Sequence, residues 1–94
     1  MKLAIIIPVY NAEETIKRAI LSVDTSVPYE IICINDGSTD QTQHVLTELQ
    51  QKHPHIKVIH QSNQGAARSR NVGLEAMSED VDALSLIHIS EPTR

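Results

Sequence analysis

The sequence has 94 residues, of which 40% are hydrophobic and 21% charged, the composition of one small globular domain or of part of a larger one. Its net charge is −4 and its Lys and Arg residues are scattered, which argues against the basic patch of a nucleic-acid-binding protein. It has two Tyr and no Phe or Trp, so platforms for stacking single-stranded bases are not expected either. We therefore expect no nucleic-acid partner.

The amino-terminal residues predict a strand followed by a helix. Residues 2–8 (KLAIIIP) are a continuous apolar run rich in β-branched side chains, typical of a strand covered on both faces. Asn11 is predicted to cap the next helix, with Glu14 at the position of a capping-box acid. The helical spacing of apolar residues predicts which side is buried: Ala12, Ile16, Ala19, Ile20 and Val23.

A second strand and helix follow a turn-rich break at residues 24–28. Residues 29–35 predict another buried strand, and the loop 36–40 leads into a helix that ends near Lys52. The helix ends there because Pro54 disfavours the helical conformation of the residue before it. The buried side of this helix is predicted to be Val45, Leu46 and Leu49.

The third strand is predicted at residues 56–60 (IKVIH), and residues 65–77 predict a helix rich in small residues. The order β-α-β-α-β-α implies right-handed crossovers between parallel strands. The sequence therefore predicts an α/β fold, in which a parallel sheet lies between helices as a three-layer α/β/α arrangement.

Polar segments follow all three predicted strands, at the end where open parallel sheets bind ligands. They are PVYN at residues 8–11, NDGSTD at 35–40 and HQSNQG at 60–65. Each precedes a helix whose N-terminal N–H groups could face an anion, so together they indicate a nucleotide crevice. Each also has a simpler interpretation as a turn or a helix cap, and Arg70 as a solvated helix residue, so no single segment decides.

Taken in this order, the motifs PVYN, INDGSTD and NQGAARSRNVGL resemble the first half of a family 2 glycosyltransferase, the nucleotide-binding half of a GT-A fold. The resemblance extends from Leu3 to about Val81. A Rossmann dehydrogenase would instead carry GxGxxG after its first strand, and this motif is absent. A nucleotidyltransferase would need a glycine-rich, basic loop at that place, which residues 8–15 (PVYNAEET) do not provide.

The resemblance implies that several residues bind a uridine nucleotide. Tyr10 would lie against the uracil ring, the two residues before it would line the base pocket, and Asp36 would accept the hydrogen of uracil N3. Gly65 would let its loop pass close to the ligand, and Arg70 would approach the nucleotide. The implied nucleotide-binding residues are Pro8, Val9, Tyr10, Asp36, Gly65 and Arg70.

The implied reaction transfers a sugar from a UDP-sugar to a glycan or lipid-linked acceptor with inversion. A divalent metal (Mn²⁺ or Mg²⁺) would neutralise the diphosphate, and an Asp or Glu would deprotonate the acceptor. Relatives place paired Asp residues for the metal after the fourth strand, but here Asp82 precedes that strand and no paired acids follow. We therefore expect no catalytic or metal-binding residue in this chain, which would be an inactive fragment of a longer parent. A non-catalytic nucleotide-binding module is the alternative.

The apolar run at residues 2–8 is too short for the apolar core of a signal peptide or for a membrane span. We therefore expect a cytoplasmic location for this part of the protein. A longer parent could associate with the membrane at its inner face.

The last residues have a different character. Residues 84–94 (LSLIHISEPTR) resemble the conceptual translation of a transposon-end sequencing adapter. We therefore predict that residues 1–83 are a partial glycosyltransferase nucleotide-binding domain and that residues 84–94 are a non-native tail. On composition alone, residues 84–89 could instead be a natural strand.

Two other kinds of site are disfavoured. Cys33 lies in a predicted buried strand and no base motif accompanies it, which favours a buried thiol over a nucleophile. A metal site formed by His53, His55 and His60 would require their side chains to converge, which Pro54 and the predicted strand disfavour.

Overall fold

The structure, a computed structural model, describes residues 2–23, 28–87 and 89–90. The first six elements alternate between strand and helix in the predicted order, and two further strands follow. The elements are β1 (Leu3–Tyr10), α1 (Ile16–Leu21), β2 (Tyr29–Asp36), α2 (Thr42–Lys52), β3 (Ile56–Gln61), α3 (Ala66–Ala76), β4 (Ala83–Leu86) and β5 (Ile89–Ser90). Residues 24–27 of the predicted break, and residues 88 and 91–94 of the predicted tail, lie outside the described residues.

The strands form one parallel sheet in the order β3-β2-β1-β4, which confirms the predicted α/β fold. β1 pairs with β4 as far as Ile6, and pairing resumes at Val9 with β5. Pro8 lies in this interval, and it has no N–H to donate to a neighbouring strand.

The two faces of the sheet pack against different helices because alternate side chains of each strand point to opposite faces. On one face, the side chains of β1, β2 and β3 pack against α1 and α2. On the other face they pack against α3. The cluster on the α1 and α2 face includes Ile5, Ile7, Val9, Ile16, Ile20, Ile31, Cys33, Leu46 and Leu49. The cluster on the α3 face comprises Ile6, Ile32 and Ile34, against which Val72, Ala76 and the C-cap residue Met77 are packed.

The predicted buried sides of α1 and α2 are confirmed. Of the predicted residues, which include Ala12 before α1 and Val23 after it, five are buried and three are half-buried. The buried residues are Ala12, Ile16, Ile20, Leu46 and Leu49; the half-buried ones are Ala19, Val23 and Val45.

The predicted start of α1 is wrong. α1 begins at Ile16, and its N-cap residue, Thr15, makes no side-chain capping hydrogen bond. Asn11 has a φ of 47°, a left-handed conformation, and its side chain bonds to the loop after β2 instead. Asn can take either role because its short amide serves helix caps and left-handed turns equally well.

Small residues let α3 approach the sheet closely, as predicted. A Cβ atom at Gly73 would lie 2.5 Å from Cγ2 of Ile6 and 3.0 Å from Cδ1 of Ile34. Any larger residue at this position would push α3 away from β1 and β2. No helix among the described residues is both long and apolar enough to cross a membrane.

At the opposite end of the sheet from the predicted site, the carboxylate of Glu30 ties three segments together. It is 5% exposed. Oε1 accepts from Ser78 Oγ at 2.7 Å and lies 3.2 Å from Lys2 Nζ, while Oε2 accepts from the Ser78 N–H at 3.0 Å and lies 3.9 Å from Lys57 Nζ. Burial alone would raise the pKa of Glu30, but the hydrogen bonds from Ser78 and Lys2 and the charge of Lys57 together lower it.

We predict that Cys33 reports on the integrity of β2. Its side chain is fully buried, and burial raises its pKa to about 12, so the reactive thiolate is scarce in the folded chain. Iodoacetamide should label the native chain roughly 100-fold or more slowly than the urea-unfolded chain. Equal labelling rates in water and in urea would contradict a buried β2.

We predict that Glu30→Gln destabilises the fold by about 1–3 kcal/mol at neutral pH, because it removes charge-assisted hydrogen bonds from a buried site. The folded pKa of Glu30 is lower than its ordinary value of 4.5. Its charge therefore stabilises the fold fully above that value, and this stabilisation is lost as the pH falls through the folded pKa. Urea unfolding as a function of pH should show wild type and variant converging in acid.

A matched control is Glu48→Gln, since Glu48 pairs with His44 on the exposed surface of α2. This change should cost no more than about 0.5 kcal/mol. A Glu30→Gln variant as stable as the control variant at neutral pH would show that the buried network contributes little.

Candidate functional site

The site lies where β1, β2 and β3 end, because the carboxyl ends of parallel strands meet at one edge of a sheet. The last residues of these strands are Tyr10, Asp36 and Gln61. Three loops follow them, which we call loop 1 (residues 11–15), loop 2 (residues 37–41) and loop 3 (residues 62–65). These strand ends and loops are the segments that the sequence predicted as a ligand site.

The carboxylate of Asp36 is the centre of the site. The residue is 6% exposed. Among the described residues, three donors reach the carboxylate: Oδ1 accepts from the Gln64 N–H at 2.8 Å and from Gln61 Nε2 at 2.9 Å, and Oδ2 accepts from the Gly65 N–H at 3.0 Å. An ionised carboxylate has about four acceptor positions, so about one remains, and it belongs to Oδ2.

A chain of hydrogen bonds continues from Asp36 into α3. Gln61 Nε2 also donates to Ser69 Oγ at 3.0 Å, and Ser69 Oγ donates to the carbonyl of Gly65 at 3.1 Å. Ser69 is fully buried, and the side chain of Gln61 links it to Asp36. The network therefore connects the end of β2, the end of β3 and the first turn of α3.

Loop 3 has a backbone that requires glycine at one position. Gly65 has a φ of 92°, which side chains rarely tolerate, although a Cβ atom there would meet nothing within 4 Å. The need for glycine is therefore conformational: with this φ the chain continues from the Gly65 N–H, which donates to Asp36, into α3. The predicted close approach of Gly65 to a ligand stays a prediction.

Loop 2 packs directly on loop 3. Gly37 has a φ of 70°, and a Cβ atom at this residue would lie 2.5 Å from the backbone nitrogen of Asn63. The Asn63 side chain donates to the carbonyl of Asp36 at 3.3 Å. Glycine at residue 37 therefore lets the two loops touch.

Loop 1 is held against loop 2 by Asn11. The Asn11 N–H donates to Ser38 Oγ at 3.0 Å, and Asn11 Oδ1 accepts from the Thr39 N–H at 2.7 Å. The Thr42 hydroxyl, at the start of α2, accepts from the Ala12 N–H at 2.9 Å. These bonds fix the chain that leaves Tyr10.

Asp40 connects the same two loops. It accepts the Thr42 N–H at 3.0 Å at the start of α2, whose N-cap residue is Gln41, and accepts the Glu13 N–H at 3.4 Å from loop 1. Loops 1 and 2 are therefore joined directly by hydrogen bonds, loop 3 is bonded to Asp36, and the three loops form a rim around the end of the sheet.

The structure brings some of the predicted residues together and separates others. Pro8 is buried and Tyr10 half-buried, and strand alternation places both on the α3 face, the face of Asp36. Val9 points to the opposite face, where its fully buried side chain packs with α1 and α2, so that only its backbone could line a pocket beside Tyr10. Arg70 is exposed on α3, about 100° around the helix from Ser69.

Sequence reasoning missed Gln61 and Ser69 as parts of the site. The sequence pattern indicates only a polar loop at Gln61 and only a small helix residue at Ser69. A usable signal existed for Gln61, because a long amide at the end of a buried strand can reach the carboxylate that ends the neighbouring strand. Inferring this contact also requires the strand register, which pairs Asp36 with Gln61.

The described residues do not fit a divalent metal. Among them, no group of three or more His, Cys, Asp or Glu side chains is placed to hold an ion. Cys33 does not supply a nucleophile, since its thiol is buried in β2 and its pKa is raised by burial to about 12.

Comparison with known proteins identifies the family. The model of the family described as glycosyl transferase family 2 matches residues 4–85. The chain belongs to glycosyltransferase family 2. It is 41% identical over 76 residues to the uncharacterized glycosyltransferase YibD of Escherichia coli (strain K12), a match that covers 79% of this chain and 22% of YibD.

Solved structures agree with this family 2 assignment. TarS of S. aureus in complex with UDP superposes with a TM-score of 0.75 and 27% identity, over 94% of this chain and 27% of that one. The mannosyltransferase PcManGT of Pyrobaculum calidifontis, in complex with GDP-Man and Mn²⁺, has a TM-score of 0.68 and 20% identity, over 81% of this chain and 24% of that one. The similarity to PcManGT shows only that the two proteins share the GT-A fold. This family 2 chain thus spans about a quarter of the length of the proteins it matches.

We predict that Asn11→Ala destabilises this family 2 chain by about 1–2 kcal/mol in urea unfolding. The change removes the bond to the Thr39 N–H and leaves a residue with a Cβ atom, but without a local polar side chain, in a left-handed conformation. Asn11→Gly is the matched variant, because it keeps the conformation and loses only the side-chain bonds. It should fall between wild type and Asn11→Ala, and equal stability of all three would show that the link between loops 1 and 2 contributes nothing.

Proposed function

We propose that this chain is the nucleotide-binding part of an inverting glycosyltransferase that uses a UDP-sugar and a glycan or lipid-linked acceptor. The observation that carries the proposal is the carboxylate of Asp36, which is buried, ordered by three donors, and left with one acceptor position on Oδ2. A group in this state is suited to accept one hydrogen bond from a ligand in a defined direction.

Uracil is the base that fits such a group. Its N3 carries a hydrogen and donates, whereas N3 of cytosine has a lone pair and would be repelled by a carboxylate. A hydrogen bond to a charged partner contributes about 1.5–3 kcal/mol, enough for a strong preference between two bases of similar shape. Asp36 would therefore read the base, and this role supports UDP as the nucleotide of the donor.

Tyr10 and Pro8 support the same placement of the base. Tyr10 ends the strand next to Asp36 and points to the same face, so its ring could lie along one side of a flat base whose edge faces the carboxylate. Pro8 lies two residues earlier on this face, and Val9 would contribute its backbone. The resemblance to TarS, which was crystallised with UDP, supports a uridine nucleotide at this end of the sheet.

The diphosphate needs positive charge from other groups. The Gln64 and Gly65 N–H groups before α3, which could otherwise attract an anion, already donate to Asp36. Arg70 is exposed on α3, and we propose that it approaches the diphosphate. Gly65 would let loop 3 stay close to the nucleotide.

We propose that the longer parent supplies the rest of the machinery, namely acids that hold Mn²⁺ or Mg²⁺ and a base for the acceptor. The Mn²⁺ complex of the similarly folded PcManGT supports a metal in the parent. We further propose that the parent acts in the cytoplasm, at the inner face of the membrane where its acceptor is lipid-linked. For the 94-residue chain itself we expect nucleotide binding without sugar transfer.

The test is to measure UDP and CDP binding by titration calorimetry for wild type and Asp36→Asn. Wild type should bind UDP about tenfold or more tightly than CDP. In Asp36→Asn this preference should nearly disappear, because the amide replaces one acceptor oxygen by an NH₂ donor. That donor would face either the N–H of uracil or the N–H groups of loop 3, and neither can accept a hydrogen bond from it. The variant's Cys33 should stay protected from iodoacetamide, which shows that it is folded.

Asp80→Asn is the control, since Asp80 is an exposed carboxylate that pairs with Lys2 at the opposite end of the sheet. It should bind both nucleotides as wild type does. Equal affinity of wild type for UDP and CDP, or an unchanged preference in folded Asp36→Asn, would refute the proposed role of Asp36. A parent protein that binds UDP but never transfers sugar would favour a nucleotide-binding module.

A further inference from the structure

The side chain of Gln61 connects the end of β3 to both Asp36 and α3. Gln61 is the register partner of Asp36 in the sheet. Its Nε2 donates to Asp36 Oδ1 at 2.9 Å and to Ser69 Oγ at 3.0 Å. A single amide group thus uses both of its N–H donors, each on a different element of the site.

The chemistry of its partners permits one orientation of this amide. An ionised carboxylate can only accept, so the NH₂ group of Gln61 must face Asp36. The Ser69 hydroxyl gives its hydrogen to the carbonyl of Gly65, so toward Gln61 it also acts as an acceptor. Reversing the amide would place its oxygen against a carboxylate and against a hydroxyl lone pair.

We infer that Gln61 is a positioning residue that sets the plane of the Asp36 carboxylate. The other described donors to this carboxylate, the N–H groups of Gln64 and Gly65, both belong to loop 3. Gln61 ties the carboxylate instead to the sheet and, through Ser69, to the first turn of α3. The acceptor position left on Oδ2 then keeps a fixed direction, and a hydrogen bond weakens steeply when its direction is wrong.

Gln61 also determines specificity, because its bond to Oδ1 orients the carboxylate whose other oxygen, Oδ2, would distinguish uracil from cytosine. This part of the inference rests on the proposed function, whereas the positioning of Asp36 does not.

Two variants of Gln61 test its positioning role and its specificity role. Gln61→Leu keeps the bulk of the side chain and removes both donors. Gln61→Glu keeps the shape and places a second carboxylate against Asp36, so it should have the larger effect. The control is Gln51→Leu, the same replacement at an exposed position near the end of α2. The slow labelling of Cys33 verifies that each variant is folded.

The first measurement needs no ligand. Amide hydrogen exchange, followed by NMR at Gln64 and Gly65, should become about tenfold faster in Gln61→Leu and faster still in Gln61→Glu. The Gln51→Leu control should leave both rates unchanged. Unchanged exchange at both amides in both Gln61 variants would overturn the positioning role, whatever nucleotide binding shows.

The second measurement is the ratio of the dissociation constants for CDP and UDP. It should fall from about tenfold or more in wild type to within about threefold in Gln61→Leu. Faster exchange with an unchanged ratio would overturn the specificity role and reduce Gln61 to a structural tether. If wild type itself does not prefer UDP, the proposed function and the specificity role fail together, and the exchange rates alone decide the positioning role.

Discussion

The carboxylate of Asp36 is the constraint on which the arrangement of the site depends. A buried charge is costly unless it is hydrogen-bonded, and this one takes donors from loop 3 and from β3 at once. The N-cap residue of α3 is Gly65, which has no side chain with which to cap its helix. Asp36 supplies negative charge at that end from a neighbouring strand, and the partial positive charge of a helix N-terminus favours it there. Sheet, loop and helix are therefore joined through one side chain.

This arrangement makes one group serve both the fold and the proposed base recognition. Three donors order the carboxylate before any ligand arrives, so little conformational entropy would be lost on binding. The same donors leave the carboxylate about one acceptor position, which limits it to a single additional hydrogen bond. Removing its charge would therefore affect the packing of loop 3 as well as the proposed choice of base, and the two effects must be measured separately.

Much of the fold could be predicted from the sequence because its signals are local. Continuous apolar runs indicate buried parallel strands, and a small residue such as Gly73 indicates a close helix. Asp36 was predicted as part of the site from its place at the end of a strand. Asn11 was misinterpreted because the same amide serves a helix cap or a left-handed turn, and only the distant Ser38 and Thr39 decide between them. Gln61 lies 25 residues from Asp36, so its role depends on the register of the sheet, which a local sequence pattern does not predict.

Under the proposed function, the described residues would provide the base side of a nucleotide site but not its phosphate side. At the end of the sheet where we propose that the base binds, Tyr10 and Asp36 lie on one face. For the diphosphate, the N–H groups before α3 are already used by Asp36, and the described acids do not form a metal site. If the parent transfers sugar as proposed, charge that develops on the leaving diphosphate would have to be neutralised by groups other than these, in addition to the exposed Arg70. Under the proposed function, recognition of the nucleoside and transfer of the sugar would be separable properties, since the first would use the strand ends and loops described here and the second would need positive charge that the loops do not contain.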